Sequence, residues 1–551
     1  MTEGISFLEH SKQITEHFLQ SVVAVDDNME FKSRQPETME DLVEPDEDDY
    51  FGQIESTDNQ EEALLEHKLY YQDLSLEFAS RGIVCGGFSP TKDTNFSLDA
   101  IVNTSKNADI TILDWQMQIA GADGKLAIDT IKEIAKLDTE EGGRTRLICI
   151  YTAENANDVA QILVNSVRHL SPNQKQLTIS FGESGLSHWK IEIVNKEKQE
   201  VELCEFLINS FTELTAGLLS NAALSSIAAI RDNTHHLLHK FNKDLDPAYL
   251  SHVLGLLSSP DMREQANDVA FDYAVDLISE ELKSNLQVSR LVKNSLSKDK
   301  LCSWPEFINE KNDRNCFRLK IGSEGVKRFD NNVMKNLISA QTVEELEKVL
   351  EHGVGLSEVD NKAPLERFKR SPIQLTSFND CNSPLLELCA IESVRRDISS
   401  IREEHIPVLK QGTIIKEQGQ NKYYFCIQPV CDSVRLTGNS TFSLMQISKS
   451  SSFTHVIRAT DKHLKLKIQP APKLIRTYTF FACDEHKVVR ASKQGELYLF
   501  TDISAGEENK VVFEWCGELK QSVSQAVINN LASQLARVGL DSFEWLRQKQ
   551  S

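Results

Sequence analysis

Three carboxylic acids stand where apolar runs of the chain stop. The segment SVVAVDDN puts Asp26 and Asp27 directly after the run 22–25, and DITILDW puts Asp114 at the end of another. If the two runs are neighbouring buried strands, the acids share one crevice at their carboxyl ends, and such crowding demands a cation. Mg2+ suits the set, because it prefers an octahedron of oxygens, keeps several waters and is typically held by one or two carboxylates plus phosphate oxygens. A carboxylate beside such an ion can itself attack a phosphoryl donor and form an aspartyl phosphate. Asp114 is the expected nucleophile. Asp26, Asp27 and Asp114 are the expected Mg2+ ligands, with the backbone carbonyl of Gln116 completing the shell. A further apolar run, RLICIYTA, ends in Thr152 and Ala153, a hydroxyl able to bond a phosphoryl oxygen and a side chain small enough to leave it room. At the end of WKIEIVNK an ammonium would neutralise phosphoryl charge as a compact point charge. Lys196 is the choice; Lys190, which begins the same run, should project from the opposite end of the sheet and is the weaker candidate.

The elements that must position these groups alternate. After the run 22–25 come a helical pattern in EEALLEHKLYYQDLSLEFASRG, the strand GIVCGGF, the short helix LDAIVNTSKNA, the strand DITILDW, the amphipathic GKLAIDTIKEIAKLD, the strand RLICIYTA and the helix NDVAQILVNSVRHL. Strand and helix in alternation imply right-handed crossovers and a doubly wound α/β fold with a parallel sheet of five strands. Sites in such folds form beyond the carboxyl ends of the strands. The last strand has two candidates, because QLTISFGESGLSHWKIEIVNK holds two β-rich pieces separated by Gly-Ser turn signals, and WKIEIVNK is taken. This domain is expected over residues 1–200, interrupted at about 29–62 by an acidic insertion that includes EPDEDDY and reads as an exposed loop. Residues 201–300 read as a helical segment, beginning with one extended helix or a helical hairpin over about 201–241. Residues 301–551 read as an α+β domain, with strand-like pieces such as KYYFCIQPVC and GELYLFTDI and a closing helix in SQAVINNLASQLARVGL.

Composition narrows the function classes. The 551 residues are 40% hydrophobic and 26% charged, which is ordinary for folded protein. A net charge of −22 supplies no footprint for phosphate backbones, so nucleic acid is not an expected partner. The eleven cysteines are odd in number and scattered, and read as reduced core residues. The opening MTEGISFLEHSKQ lacks a basic stretch leading into an apolar one, and no apolar run reaches about 18 residues, so the expected location is the cytoplasm, without a membrane span.

The motifs VVAVDDN, ITILDWQM followed by ADG, LICIYTA and IVNK, in that order, resemble the receiver domains of two-component response regulators. The resemblance covers about residues 20–200 and implies a flavodoxin-like fold. It sets Asp26 and Asp27 on the acidic pair, Asp114 on the phosphoacceptor, Thr152 on the switch hydroxyl, Lys196 on the lysine, and Met117 and Gly124 on the loop after the phosphoacceptor. The chain departs from the pattern at Gln118, where proline is usual, in a loop to Gly124 about two residues longer, in the acidic insertion, and in having no proline after Lys196. The resemblance implies a histidine kinase as phosphoryl donor. With its insertion and large remainder, the chain is also similar to the receiver-bearing component of Detocs-type anti-phage systems, which implies a phosphate reservoir beside a second receiver-containing effector. The alternative is a receiver-regulated effector whose C-terminal α+β domain has an enzymatic activity of its own. Two other groups carry less. His235, His236 and His239 share a helix without a carboxylate or cysteine at ligand spacing, and Cys426, Cys431 and Cys483 lack the second half of a zinc site.

Overall fold

The computed structural model describes residues 6–32, 68–91, 94–117, 124–141, 143–167, 170–173, 176–179, 189–260, 263, 266–321, 325–356, 363–370, 373–376, 383–398, 405–459, 462–482, 487–504 and 510–535. Most of the acidic insertion expected at 29–62 lies outside the described residues, as does Gln118. By packing, residues 1–240 with 280–377 make one compact unit, and residues 241–279 with 378–551 make another.

The first unit is built on five parallel strands, β1 (Ser21–Val25), β2 (Val84–Phe88), β3 (Ile110–Asp114), β4 (Arg146–Thr152) and β5 (Trp189–Asn195), in the spatial order β2-β1-β3-β4-β5. Period-two alternation sends successive residues to opposite faces. Val25, Leu113, Ile148, Ile150 and Ile191 join one core, while Val22, Ala24, Ile110, Ile112, Cys149 and Val194 join the other. Both faces are buried, which is why the runs read as continuously apolar. The first core is roofed by α3 (Thr94–Ser105), α4 (Lys125–Glu140) and α5 (Ala156–Ser166) through Ile101, Ile131, Ile134 and Leu163. The second is roofed by α2 (Tyr71–Ser80) and α6 (Glu200–Thr215) through Leu74, Phe78, Leu203 and Leu207.

Both β-rich pieces of the uncertain region form strands. WKIEIVN is the fifth parallel strand, and Leu170–Asn173 with Gln176–Ile179 form an antiparallel hairpin that adds to its free edge, Thr178 opposite Lys190. The sheet therefore counts seven strands, five of them parallel. Of the two readings of 201–241, one extended helix or a helical hairpin, the structure has two helices, α6 and α7 (Leu218–Lys240), bent by 120° at the break around Gly217. The preceding helix α1 (Phe7–Phe18) starts on Ser6, whose Oγ accepts from the Glu9 backbone N–H at 3.1 Å. Among the described residues no single helix is long and apolar enough to cross a membrane.

The first unit also holds a three-stranded antiparallel sheet, Lys327–Phe329, Phe317–Ile321 and Ile373–Thr376, over a core that includes Phe317, Phe329 and Leu350. In the second unit the strands between Val394 and Leu519 form an antiparallel sheet of ten, closed by the helix Gln521–Leu535. Here too alternation divides a strand between two cores, Tyr423 and Phe425 on one side, Tyr424 and Cys426 on the other.

The start of β4 is held by an ion pair with almost no water access. Arg146 donates Nε and Nη2 to the two carboxylate oxygens of Asp138 at 2.8 Å each, and Nη1 to the Ser105 carbonyl at 2.7 Å. Trp189 Nε1 donates to the same carboxylate at 3.0 Å, so one buried fork ties α3, α4, β4 and β5. Removing one partner strands the other charge in the core, which costs about 3–5 kcal/mol. Asp138→Ala is accordingly expected to lower the denaturant midpoint of this unit by that equivalent, read by tryptophan fluorescence; a loss under about 1 kcal/mol would contradict the pairing.

Candidate functional site

The carboxyl ends of β1, β3, β4 and β5 open into one crevice. Asp26 follows the last residue of β1, Asp114 is the last residue of β3, Thr152 the last of β4, and Lys196 follows β5. Their alignment is set by the strand registers: Asp114 lies opposite Tyr151, Thr152 opposite Asn195, and the Lys196 backbone N–H donates to the Thr152 carbonyl at 2.9 Å. Parallel strands that end in step leave their terminal side chains converging on one spot.

All three acids reach it. Asp26, Asp27 and Asp114 each offer a carboxylate oxygen within 4.8 Å of the others, the only such group of His, Cys, Asp or Glu among the described residues. Asp26 and Asp114 are buried and Asp27 is half-buried. Lys196, also buried, sends Nζ between two of them, 2.8 Å from Asp26 Oδ2 and 3.1 Å from Asp114 Oδ1. Its ammonium further lies 5.7 Å above the Tyr151 ring, whose hydroxyl donates to the Lys198 carbonyl at 2.9 Å. Lys190 is elsewhere, at the start of β5, paired with Glu192 at 2.9 Å and Glu213 at 3.0 Å.

The electrostatics follow from burial. Desolvation, then the neighbouring Asp26, pushes the Asp114 carboxyl up to about 7 against the opposing pull of Lys196. Asp26 is likewise raised by burial, with Lys196 working the other way. Burial alone would lower Lys196, but the two carboxylates more than offset it and hold the ammonium above its usual range. One ammonium among three acids leaves negative charge unbalanced. A hard divalent ion fits this donor set, which is all oxygen, clustered and over-charged.

Other side chains shape the rim. Trp115, fully buried next to Asp114, donates Nε1 to Glu154 at 3.1 Å, and the exposed Gln116 side chain donates to the other oxygen of the same carboxylate. Glu154 thereby links the loops after β3 and β4. It was not singled out in the sequence, where an acid two residues past a strand end carries no signal of its own. Gly124 is required by Trp115: its φ is +68°, and a Cβ there would fall 2.4 Å from the indole ring. Thr152 Oγ1 accepts from the Glu154 backbone N–H at 3.0 Å, a turn that leaves its proton available to a ligand. His235, His236 and His239 are exposed on α7; Cys426 is buried, Cys431 exposed, and Cys483 lies outside the described residues.

The raised Asp114 sets a pH dependence whose sign is fixed by linkage. Burial holds its carboxyl up to about 7, against about 3.9 unfolded, so without a bound cation the folded state holds the extra proton across that window. Stability of the chelator-treated protein should therefore fall as pH rises from about 4 to about 7. Asp114→Asn should flatten that part of the profile, measured by urea midpoints; an unchanged slope would contradict the burial of this carboxyl.

Residues 18–202 match the family model described as the response receiver domain. No curated protein matches the chain, and no solved structure does. The parallel order β2-β1-β3-β4-β5, the acids at the ends of β1 and β3 and the family match over the same residues make residues 18–202 of this chain a response-regulator receiver domain of flavodoxin-like fold.

Proposed function

We propose that Asp114 accepts a phosphoryl group from the phosphohistidine of a histidine kinase in the cytoplasm. The observation that supports this reading best is the position of Lys196, whose ammonium contacts both Asp26 and Asp114 inside a cluster of three carboxylates. Receiver domains are in general phosphoacceptors and not enzymes, and in general receive the group from such kinases.

The chain's own residues divide the work. A carboxylate oxygen of Asp114 forms the new O–P bond as the P–N bond to the donor imidazole breaks, and the imidazole nitrogen keeps the electron pair and takes up a proton. Lys196 stays within reach of Asp114 and sets a fixed positive charge against the incoming phosphoryl oxygens. Thr152 offers its hydroxyl proton, and the exposed, small Ala153 beside it leaves space. Asp26, Asp27, Asp114 and the Gln116 carbonyl would hold Mg2+, which supplies charge compensation when bound. The added charge, about −1.5 to −2, falls where Thr152 and Lys196 can both move toward it, and these cap the β4 and β5 ends next to α6.

The finer reading is a phosphate reservoir: a receiver that competes with a second receiver-containing effector for one kinase in a bacterial anti-phage system. Its support is architectural, an acid-rich chain of net charge −22 in which a receiver is joined to a large α+β remainder.

Exposure to acetyl phosphate and Mg2+ should add one phosphoryl group to the native chain by intact mass and none to Asp114→Asn. A chelator should abolish the gain, and Lys196→Met should slow it by about tenfold or more, about 1.4 kcal/mol of barrier. Equal labelling of native and Asp114→Asn would refute the assignment of the acceptor.

A further inference from the structure

In the second unit one buried carboxylate gathers more positive charge than it can balance. Glu518 sits near the end of the strand Val512–Leu519, flanked by Arg396 of the strand Val394–Asp397 on one side and by Thr413 of the strand Thr413–Glu417 on the other. Arg395 Nη1 and Lys410 Nζ lie 3.3 and 3.2 Å from its Oε1, and Arg396 Nη1 lies 3.5 Å from its Oε2. His405 stands beside the group, its imidazole pushed below its ordinary range by burial and then by Arg396, Lys410 and Arg395, with Glu518 opposing them.

Strand geometry explains how neighbours in sequence reach the same carboxylate. Regular alternation would send the side chains of Arg395 and Arg396 to opposite faces of the sheet. The register instead shifts between Val394, opposite Leu519, and Arg396, opposite Glu518, which leaves Arg395 as the extra residue of a β-bulge. Such a bulge re-aims a side chain, and here it sets both guanidiniums against one acid. Lys410 is fixed on the flank of Thr413 by a turn, in which its backbone N–H donates to Thr413 Oγ1 at 3.1 Å and its carbonyl accepts from the Thr413 N–H at 3.0 Å. The Leu519 N–H donates to the Gly412 carbonyl at 3.0 Å, which ties that turn to the strand carrying Glu518.

Stability alone does not call for this arrangement. A buried acid needs a partner, but a second and a third cation repel the first, and three of them on one carboxylate leave an excess of two positive charges among the described residues. The excess faces water. Arg395 is exposed, Arg396 and Lys410 are half-buried, and among the described residues the three cationic heads donate one hydrogen bond, from Arg395 to Glu518.

We propose that Glu518 holds Arg395, Arg396 and Lys410 in place as a receptor for a phosphate monoester, the phosphoryl dianion of a small molecule. Charge selects the class. A phosphate monoester carries about −1.5 to −2 near pH 7, which matches the excess, whereas a carboxylate or a phosphodiester leaves one positive charge over. Geometry agrees, because planar guanidinium forks bind phosphoryl oxygens in pairs and a lysine adds a compact point charge. A nucleic-acid strand fits less well, since these cations converge on a single carboxylate rather than tracking a backbone, and the whole chain carries a net charge of −22. Glu518 is a positioning residue; the three cations make the contacts.

Isothermal titration calorimetry of the full chain tests the proposal, with a chelator present so that the receiver crevice, rich in carboxylates, takes up no anion. Inorganic phosphate and AMP are the probes, and acetate is the monoanion control. One site with a Kd below about 1 mM is expected for at least one probe, with acetate weaker by about tenfold or more. Binding of both probes, or of phosphate alone, supports recognition of the phosphoryl group by itself; binding of AMP alone supports recognition of that group on a larger small molecule. Arg395→Ala combined with Lys410→Ala should weaken the bound probe at least about tenfold, with an unchanged circular dichroism spectrum because Arg396 keeps Glu518 paired. Should that variant fail to fold, Lys410→Met alone decides, with an expected loss of about threefold or more. A Kd above about 1 mM for both probes, an unchanged affinity in the folded variant, or acetate bound as tightly as the probes overturns the proposal.

Discussion

Like charges held close together in a place with little water are the constraint from which the receiver's architecture follows. Asp26 and Asp114 are buried, Asp27 stands beside them, and one ammonium, Lys196, is shared between the first two. Each of these groups would be costly alone, since an unpaired buried ion costs several kcal/mol even after relaxation. Together they are tolerable only if the strands that carry them end in register, and the pairing of β1 with β3, β3 with β4 and β4 with β5 provides that register. The same imbalance makes the crevice receptive to a divalent cation and then to an anion. The site is thus a charge problem left open on purpose at one end of a sheet whose other end is closed by the fully paired Arg146 and Asp138.

Much of this was legible because the chemistry of a buried parallel strand is written in its composition. Runs of Val, Ile and Leu that stop at an acid gave β1 and β3 and located Asp26, Asp27 and Asp114 at the correct ends. Thr152 and Lys196 were placed by the same logic, from where each run stops. Less legible was anything that depends on which strand lies beside which. The piece QLTI has the same β-propensity whether it is the fifth parallel strand or an antiparallel addition to it, and only the neighbour decides. The bend after Thr215 is set by packing of α1 against α6 and α7, which apolar periodicity does not encode.

Contacts completed by a residue from another element were the least accessible. Arg146 and Asp138 each look like surface residues in isolation, and their burial appears only once Trp189 from another strand covers them. Glu154 gains its role from Trp115 and Gln116, nearly forty residues away. In each case local pattern gives the element and the partner gives the function.

The account stands or falls on whether the three acids act as one cation site with Lys196 at its edge. Crystals of the chain soaked in Mn2+ would answer this through anomalous scattering. The expected result is one strong peak bounded by the carboxylates of Asp26, Asp27 and Asp114 with the Gln116 carbonyl facing it, and with Lys196 still on the Asp114 side. A crevice without a peak, or an ion bound by one acid while the other two point elsewhere, would contradict it.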